Sequence, residues 1–286
     1  MVGPDRLTTA SSALYGPHTV IGIIAPGVAA VLFKVLSVPS VLALDALSFV
    51  ASALLLRALH TGLTGARAGT GPASTWRDLL VGLRFVWRHP TIRPMTLMNT
   101  AFSASGGAVL GQFAPLASQL LGRAQEKTGT ALEFLAWGVG GFLSSLILPW
   151  LSKRLAGPWI ALGGTPLATL LPALCALTWS FPWLLGLLLC WGLAYSTVAT
   201  NNIIFRQSRT PEPLLSRVNA SGRVLAWGLG AAIGALTGGA IASILGVRSA
   251  VLAAAAFAAL CVAMGWLSPL RREGSGPGAV GRRVSG

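Results

Sequence analysis

About eight apolar stretches, each long enough to cross a lipid bilayer, occupy most of this 286-residue chain. A helix that crosses the hydrocarbon core needs about 20 apolar residues. Such stretches fall at residues 13–36, 39–59, 96–121, 129–151, 158–178, 182–204, 224–245 and 249–270. The chain is 53% hydrophobic and only 10% charged, which leaves too little polar surface for a soluble domain of this length. The sequence therefore predicts an all-α, polytopic membrane protein.

The formal net charge of +14 is unequally distributed between the two sides of this topology. If both termini lie inside, only four of the 21 lysines and arginines fall in outer segments, namely Lys34, Arg123, Lys127 and Arg248. An excess of positive charge marks the cytoplasmic loops of membrane proteins. We therefore expect a multi-pass protein of the cell (inner or plasma) membrane with both termini in the cytoplasm. The positive charge is explained by topology, and we do not expect nucleic acid as a partner.

The residue types that support catalysis or metal binding are dispersed along the chain. The three cysteines lie singly inside apolar spans, and the three histidines are far apart. Neither a metal site nor a nucleophile with its base can be built from this spacing. No acid/base pair or phosphate-binding loop is recognisable either. We expect a protein that is not an enzyme and that has no metal or cofactor.

The first two spans resemble the last two at a constant offset of 209 residues. Residues 25–30 (APGVAA) align with residues 234–239 (GALTGG), and the turn at residues 36–38 (LSV) aligns with residues 245–247 (LGV). Two parallel repeats, related by an axis along the membrane normal, build the major facilitator fold. With six helices in each half, the first two spans are helices five and six, and the other six spans form the second half. Four preceding helices are then expected to be missing.

Three local motifs strengthen this interpretation. Residues 42–53 (LALDALSFVASA) are similar to the sixth helix of bacterial major facilitator exporters, and residues 82–90 (GLRFVWRHP) are similar to the segment before helix seven. Residues 206–211 (RQSRTP) and 215–220 (LSRVNA) resemble the loop between helices ten and eleven. The resemblance covers about residues 4–272 and is to the group of enterobactin and macrolide exporters. The antiporter motif of helix five, Gly-Pro-x-x-Gly-Gly, is reduced here to Ala25-Pro26-x-x-Ala29-Ala30.

The resemblance implies four regions. Residues 1–60 hold the last two helices of the N-terminal half, residues 61–94 a cytoplasmic linker, residues 95–270 the C-terminal six-helix bundle, and residues 271–286 a disordered basic tail. Within the linker, an amphipathic helix is expected to lie on the inner leaflet. Its apolar residues fall near one face: Trp76, Leu79, Leu80, Leu83, Val86 and Trp87.

The function implied by the resemblance is transport through the lipid bilayer. We expect proton-coupled efflux of a drug-like or siderophore-like small molecule by alternating access. The alternatives are a truncated remnant that does not transport, and a part-transporter that needs a separately encoded partner to supply the missing helices.

Candidate site residues follow from helix position and chemistry. Polar and aromatic residues of the spans that correspond to cavity-lining helices are candidates for substrate binding, with anchoring at the membrane interface as the alternative for some: Asn99, Ser103, Gln112, Trp137, Trp191, Tyr195, Asn201, Asn202 and Trp227. Carboxyl groups inside spans are costly and are candidates for proton coupling: Asp45 and Glu133. Residues that permit close helix packing or kinking are candidates for gating: Pro26, Gly230, Gly234 and Gly238.

Overall fold

The structure is a computed structural model that describes residues 35–58 and 75–267, together with Val28 and Leu32. The prediction for Pro26 lies outside the described residues, as do those for the N-terminal region up to residue 27, the linker at 61–74 and the tail. Numbered in chain order among the described residues, the helices are α1 (Val38–Ala58), α2 (Thr75–Arg88), α3 (Ile92–Leu110), α4 (Phe113–Leu121), α5 (Glu126–Arg154), α6 (Gly157–Leu177), α7 (Phe181–Ser208), α8 (Leu215–Arg223), α9 (Ala231–Leu245) and α10 (Val247–Leu267).

The predicted all-α membrane architecture is confirmed. Every regular element of the described residues is helical, and five helices are long and apolar enough to cross a membrane: Arg123–Arg154, Gly157–Leu177, Phe181–Ser208, Leu215–Leu245 and Val247–Leu267. They correspond to the last five of the eight stretches expected from the sequence. The first stretch lies mostly outside the described residues. The second corresponds to α1, whose apolar part is Pro39–Leu55.

The third expected span, residues 96–121, is divided into α3 and α4 by a turn at Gly111 and Gln112. Pro115 explains the division. A proline inside a helix has no N–H to donate, and its ring clashes with the carbonyl four residues earlier, which here belongs to Gly111. The amide of Gln112 bonds instead to the carbonyl of Val109 at 2.9 Å, and the amide of Leu116 bonds to the carbonyl of Gln112 at 2.9 Å. Hydropathy alone did not reveal this break.

Helices α3 to α10 form one bundle. The helix α7 lies between α5 and α6, while α3 packs against α9 and α10, and α10 also contacts α6. Apolar side chains that these helices bury together form the main core: Phe102, Val109, Phe113, Leu116, Leu184, Leu188, Trp191, Tyr195, Val198 and Val251. By contrast, α1 makes no extensive contact with the other described helices, and Leu47, Phe49 and Leu55 on it are exposed.

The helix that runs from α8 to α9 contains a π-helical segment, Val224–Gly230. At its end, the amide of Ala231 donates to the carbonyl of Ala226, five residues earlier. π-Helical turns are rare and occur often at functional sites. The segment connects the part of this helix that contacts α2 with the part that contacts α3.

Candidate transport site

Aromatic rings from four helices meet in the middle of the bundle. Tyr195 on α7 stacks on Phe102 of α3, with ring centroids 4.7 Å apart. Trp191, one turn earlier, lies 5.5 Å from Tyr195 and 6.3 Å from Trp137 on α5, and Trp137 lies 6.2 Å from Tyr195. Phe113, at the start of α4, is 6.3 Å from Trp191. These five residues are called the aromatic cluster below.

Glycines bring α3, α5 and α7 close enough for these rings to meet. A Cβ atom on Gly192 of α7 would overlap the backbone carbonyl of Trp137, and one on Gly140 of α5 would overlap that of Leu189. A Cβ on Gly106 would lie 2.7 Å from the ring of Tyr195. Small residues at membrane helix interfaces let backbones approach in this way. The aromatic rings can therefore take these positions because the glycines at the helix contacts have no side chains.

Glu133 lies on α5 one turn before Trp137 and is 0% exposed. Neither of its carboxylate oxygens has a hydrogen-bond partner among the described residues, and the indole N–H of Trp137 also has none. Residues four apart share one face of a helix. The carboxyl group of Glu133, an acceptor, and the indole N–H of Trp137, a donor, therefore lie on the same face of α5 beside the aromatic cluster. Neither group has a hydrogen-bond partner among the described residues. Buried polar groups normally have partners, and an ionised carboxylate is especially costly to bury without one.

Two pairs of polar residues connect helices at the end of the bundle where α3 begins. The side-chain amide of Asn202 donates to that of Asn99 at 3.3 Å, which joins α7 to α3. The amide of Asn201 donates to the backbone carbonyl of Gly157 at 2.8 Å, which joins α7 to the start of α6. All of these side chains are buried. The side-chain oxygen of Asn202 has no partner among the described residues.

The remaining predicted site residues lie in different surroundings. Ser103 and Gln112 are buried, and Ser103 lies beside Tyr195. Trp227, in the π-helical segment, is 51% exposed and is not part of the aromatic cluster. Asp45 is exposed on α1. The structure therefore brings together the aromatic candidates of α5 and α7 with Glu133, and it places Trp227 and Asp45 apart from them.

The three glycines predicted to pack or gate lie along α3. A Cβ on Gly230 would lie 2.6 Å from the carbonyl of Thr100, and one on Gly234 would overlap the carbonyl of Ala104. One on Gly238 would lie 2.9 Å from the Cα of Ala108. The three glycines recur every four residues, and so do the three residues of α3 that they meet. The glycine-bearing helix and α3 therefore run side by side with their backbones almost in contact.

Sequence reasoning missed several members of the site. Phe102 and Phe113 were not singled out, although Phe102 lies one helical turn from Asn99 and Gly106, so a helical wheel of α3 places these residues on one face. Arg206 belongs to the segment that resembles the loop between helices ten and eleven, but it lies at the end of α7 and is buried. A Cβ on Gly222 of α8 would overlap its guanidinium group. No local sequence pattern indicates that contact.

Comparison with known proteins identifies the family. The family model described as Major Facilitator Superfamily matches residues 1–225 of the chain. No curated protein matches the chain significantly. The matched residues include α1 to α8 and all of the aromatic cluster. With its apolar helices, its α-helical bundle and this match over most of its length, the chain belongs to the Major Facilitator Superfamily, a family of multi-pass membrane transporters.

Proposed function

We propose that the chain takes part in proton-coupled export of an amphipathic or aromatic small molecule, drug-like or siderophore-like, by alternating access. The observation that carries this proposal is the unsatisfied pair of Glu133 and the Trp137 indole beside the aromatic cluster.

The substrate class follows from what the site offers. Aromatic rings bind planar apolar groups by offset or edge-to-face contact, and binding sites combine such surfaces with a few polar groups that fix orientation. The rings of Trp137, Trp191 and Tyr195 provide the surface, and the carboxyl of Glu133 and the indole N–H of Trp137 provide the polar groups. In this structure the rings contact one another, so a substrate must separate them, as it does when α3 and α7 move apart.

Proton coupling is assigned to Glu133. A carboxyl group in apolar surroundings without a partner is accommodated at far lower cost when it is neutral than when it is ionised. When the site opens to water, the same group can release its proton and interact with a substrate. Because the proton and the substrate exchange at the same carboxyl group, movement of the proton across the membrane is coupled to movement of the substrate. Asp45 is a weaker candidate, because it lies on α1, apart from Glu133 and the aromatic cluster.

The seam between α3 and the α9 helix is the proposed moving contact. Helices that meet through small residues pack backbone against backbone, and we propose that this contact, which has no large side chains to interlock, is where the two helices slide or tilt. Gly230, Gly234 and Gly238 form this seam, and the π-helical segment lies directly before it. Pro26 corresponds to this region through the internal repeat and is proposed as its counterpart in the other half. The direction of transport and the location in the cell membrane, with cytoplasmic termini, follow from the charge distribution and the exporter motifs.

The test is proton-driven transport in vesicles that contain the purified 286-residue chain. We expect Glu133→Gln to abolish substrate movement driven by an imposed pH gradient, because a carboxamide cannot exchange a proton. The matched control is Glu126→Gln, which changes a carboxyl group in the first turn of the same helix, outside the aromatic cluster. Transport by Glu133→Gln at the wild-type rate would remove the proposed role, and equal loss in both variants would indicate a structural effect.

A part-transporter is the second candidate. The exposed apolar surface of α1, which contacts no other described helix extensively, favours it, since such a surface suits further helices from a partner. Transport by the purified chain alone would exclude this candidate. Transport that appears only after a partner from the native membrane is added would support it.

A further inference from the structure

The amphipathic helix α2 has two apolar faces, and only one of them packs on the protein. Leu79, Gly82 and Val86 face α8: the carbonyl of Leu79 accepts a hydrogen bond from Ser221 at 2.9 Å, and a Cβ on Gly82 would overlap the backbone of Arg217. Val86 is 1% exposed.

The second face is open. Trp76 is 75% exposed, Leu80 60% and Trp87 49%. Together with Leu83 they recur at intervals of four, three and four residues, which places them on one side of the helix. A shallow groove of about 440 Å³ is lined by Leu80, Leu83, Arg84 and Trp87. Large apolar side chains exposed side by side mark a surface that binds another molecule.

Arginines surround this groove. Arg84 lines it, Arg88 lies one turn further on, and the guanidinium of Arg93 lies 5.4 Å from the ring centre of Trp87. All three side chains are exposed. The single acidic residue of α2, Asp78, is paired with Arg217 on α8 at 2.8 Å. The positive charge around the groove is therefore not neutralised by this helix.

The position of α2 relative to the bundle determines which partner fits. The ring nitrogen Nδ1 of His89 accepts hydrogen bonds from the amides of Thr91 and Ile92 at 3.3 and 3.2 Å, so the turn into α3 is fixed. The helix therefore lies at the end of the bundle where α3 begins and where α5 and α7 end. Because α5 and α7 are long and apolar enough to cross a membrane, we expect the lipid headgroups to lie at the level of their ends. Trp and Leu on one face with arginine beside them are typical of helices that lie in this interface.

We propose that α2 binds an anionic phospholipid of the adjacent leaflet, with the headgroup phosphate held by Arg84, Arg88 and Arg93 and an acyl chain lying in the groove beside Leu80 and Trp87. Arginine donates to phosphate through a fixed fork of N–H groups, and clusters of basic residues next to membrane helices attract anionic lipids. Since α2 also packs on α8, the bound lipid stabilises the contact between α2 and α8.

Lipid binding to the detergent-purified full chain tests the proposal. Phosphatidylglycerol or phosphatidylcholine with identical acyl chains is added, and the fraction of protein that carries lipid is measured by native mass spectrometry. We expect wild-type protein to retain phosphatidylglycerol preferentially, and Arg84→Gln with Arg88→Gln to lower that retention on the order of tenfold. If this double variant does not elute as a single species, Arg88→Gln alone is measured, with a loss of about fivefold expected.

The matched control is Arg154→Gln. The guanidinium of Arg154 lies 4.3 Å from the ring centre of Trp150, and both residues are exposed at the same end of the bundle, but neither lines the groove of α2. Retention by this variant should equal that of the wild type. The proposal is overturned by equal retention of the two lipids, by equal loss in the control variant, or by displacement of the lipid by excess inorganic phosphate. None of these outcomes depends on transport, so the result is independent of the proposed export.

Discussion

The contact between α5 and α7 provides the sharpest test of how the site is built. Gly192→Ala adds one methyl group directly against the backbone carbonyl of Trp137. Because the obstructing atoms are backbone atoms, no change of rotamer can remove the overlap, and the two helices must separate. Gly192 lies between Trp191 and Tyr195 in the sequence of α7. Separation of α5 from α7 at Gly192 therefore also moves Trp137 away from both rings.

The cost can be estimated from packing. Methyl groups forced into a well-packed interior destabilise proteins by about 1–3 kcal/mol. For a protein of this size each kcal/mol corresponds to about 2–4 °C in melting temperature, so we expect a decrease of roughly 2–12 °C. Gly140→Ala, which meets the carbonyl of Leu189 on the same contact, should have a similar effect. The double variant should cost less than the sum, because helices that have already separated leave room for the second methyl group.

Thermal unfolding in detergent, followed by loss of the monodisperse peak in size-exclusion chromatography, measures the effect. The matched control is Gly186→Ala on the same helix, where an added Cβ meets no atom within 4 Å. There, replacement of a helical glycine should leave the stability unchanged or increase it by about 0.5–1 kcal/mol. A melting temperature of Gly192→Ala within about 1 °C of the wild type would refute the close contact between these helices. Additive effects in the double variant would show that the two glycines belong to separate contacts.

Three other side chains give independent checks by the same assay. Ser105→Ala removes a buried bond of 2.7 Å to the carbonyl of Ala254 and should cost about 0.6 kcal/mol, the usual value between membrane helices; no change would show that the bond contributes nothing. Asp78→Asn breaks the pair with Arg217 and should cost about 0.2–1 kcal/mol, less in high salt because the pair is partly exposed; a loss that is independent of salt would contradict the ion pair. Arg248→Gln removes a hydrogen bond of 2.8 Å to a helix-terminal carbonyl and a ring contact at 3.7 Å, and should cost about 1–2 kcal/mol; an unchanged melting temperature would contradict both contacts.

The architecture was largely predictable because membrane spans are specified by local composition. The expected spans 129–151 and 158–178 agree with α5 and α6 to within a few residues. They agree because a run of apolar residues must end where the hydrocarbon ends. The break at Gly111 was missed because an average over hydropathy takes no account of the single amide that Pro115 lacks. Its cause is stereochemical and lies in one residue.

The site was less predictable because it depends on which faces meet. The sequence identifies Trp137, Trp191 and Trp227 as equivalent aromatic residues in neighbouring spans. In the structure the first two lie against each other, while the third is exposed. That difference depends on helix rotation, which is determined by contacts such as that of Gly192 with the backbone of Trp137. Likewise, the sequence places Glu133 inside a span. Only the structure shows that its carboxyl group has no hydrogen-bond partner among the described residues that surround it.

The π-helical segment Val224–Gly230 has a consequence for the evolution of this region. A π-turn accommodates one residue more than an α-turn, so the segment is equivalent to a single-residue insertion within an otherwise regular helix. Conversion of the segment to α-geometry without the loss of a residue would rotate α8 by about 100° relative to α9. The chain would then lose either the fit of Gly222 to Arg206 or the fit of Gly234 to Ala104. A homologue with a one-residue gap at these positions is therefore expected to have a regular α-helix that presents the same face to α3.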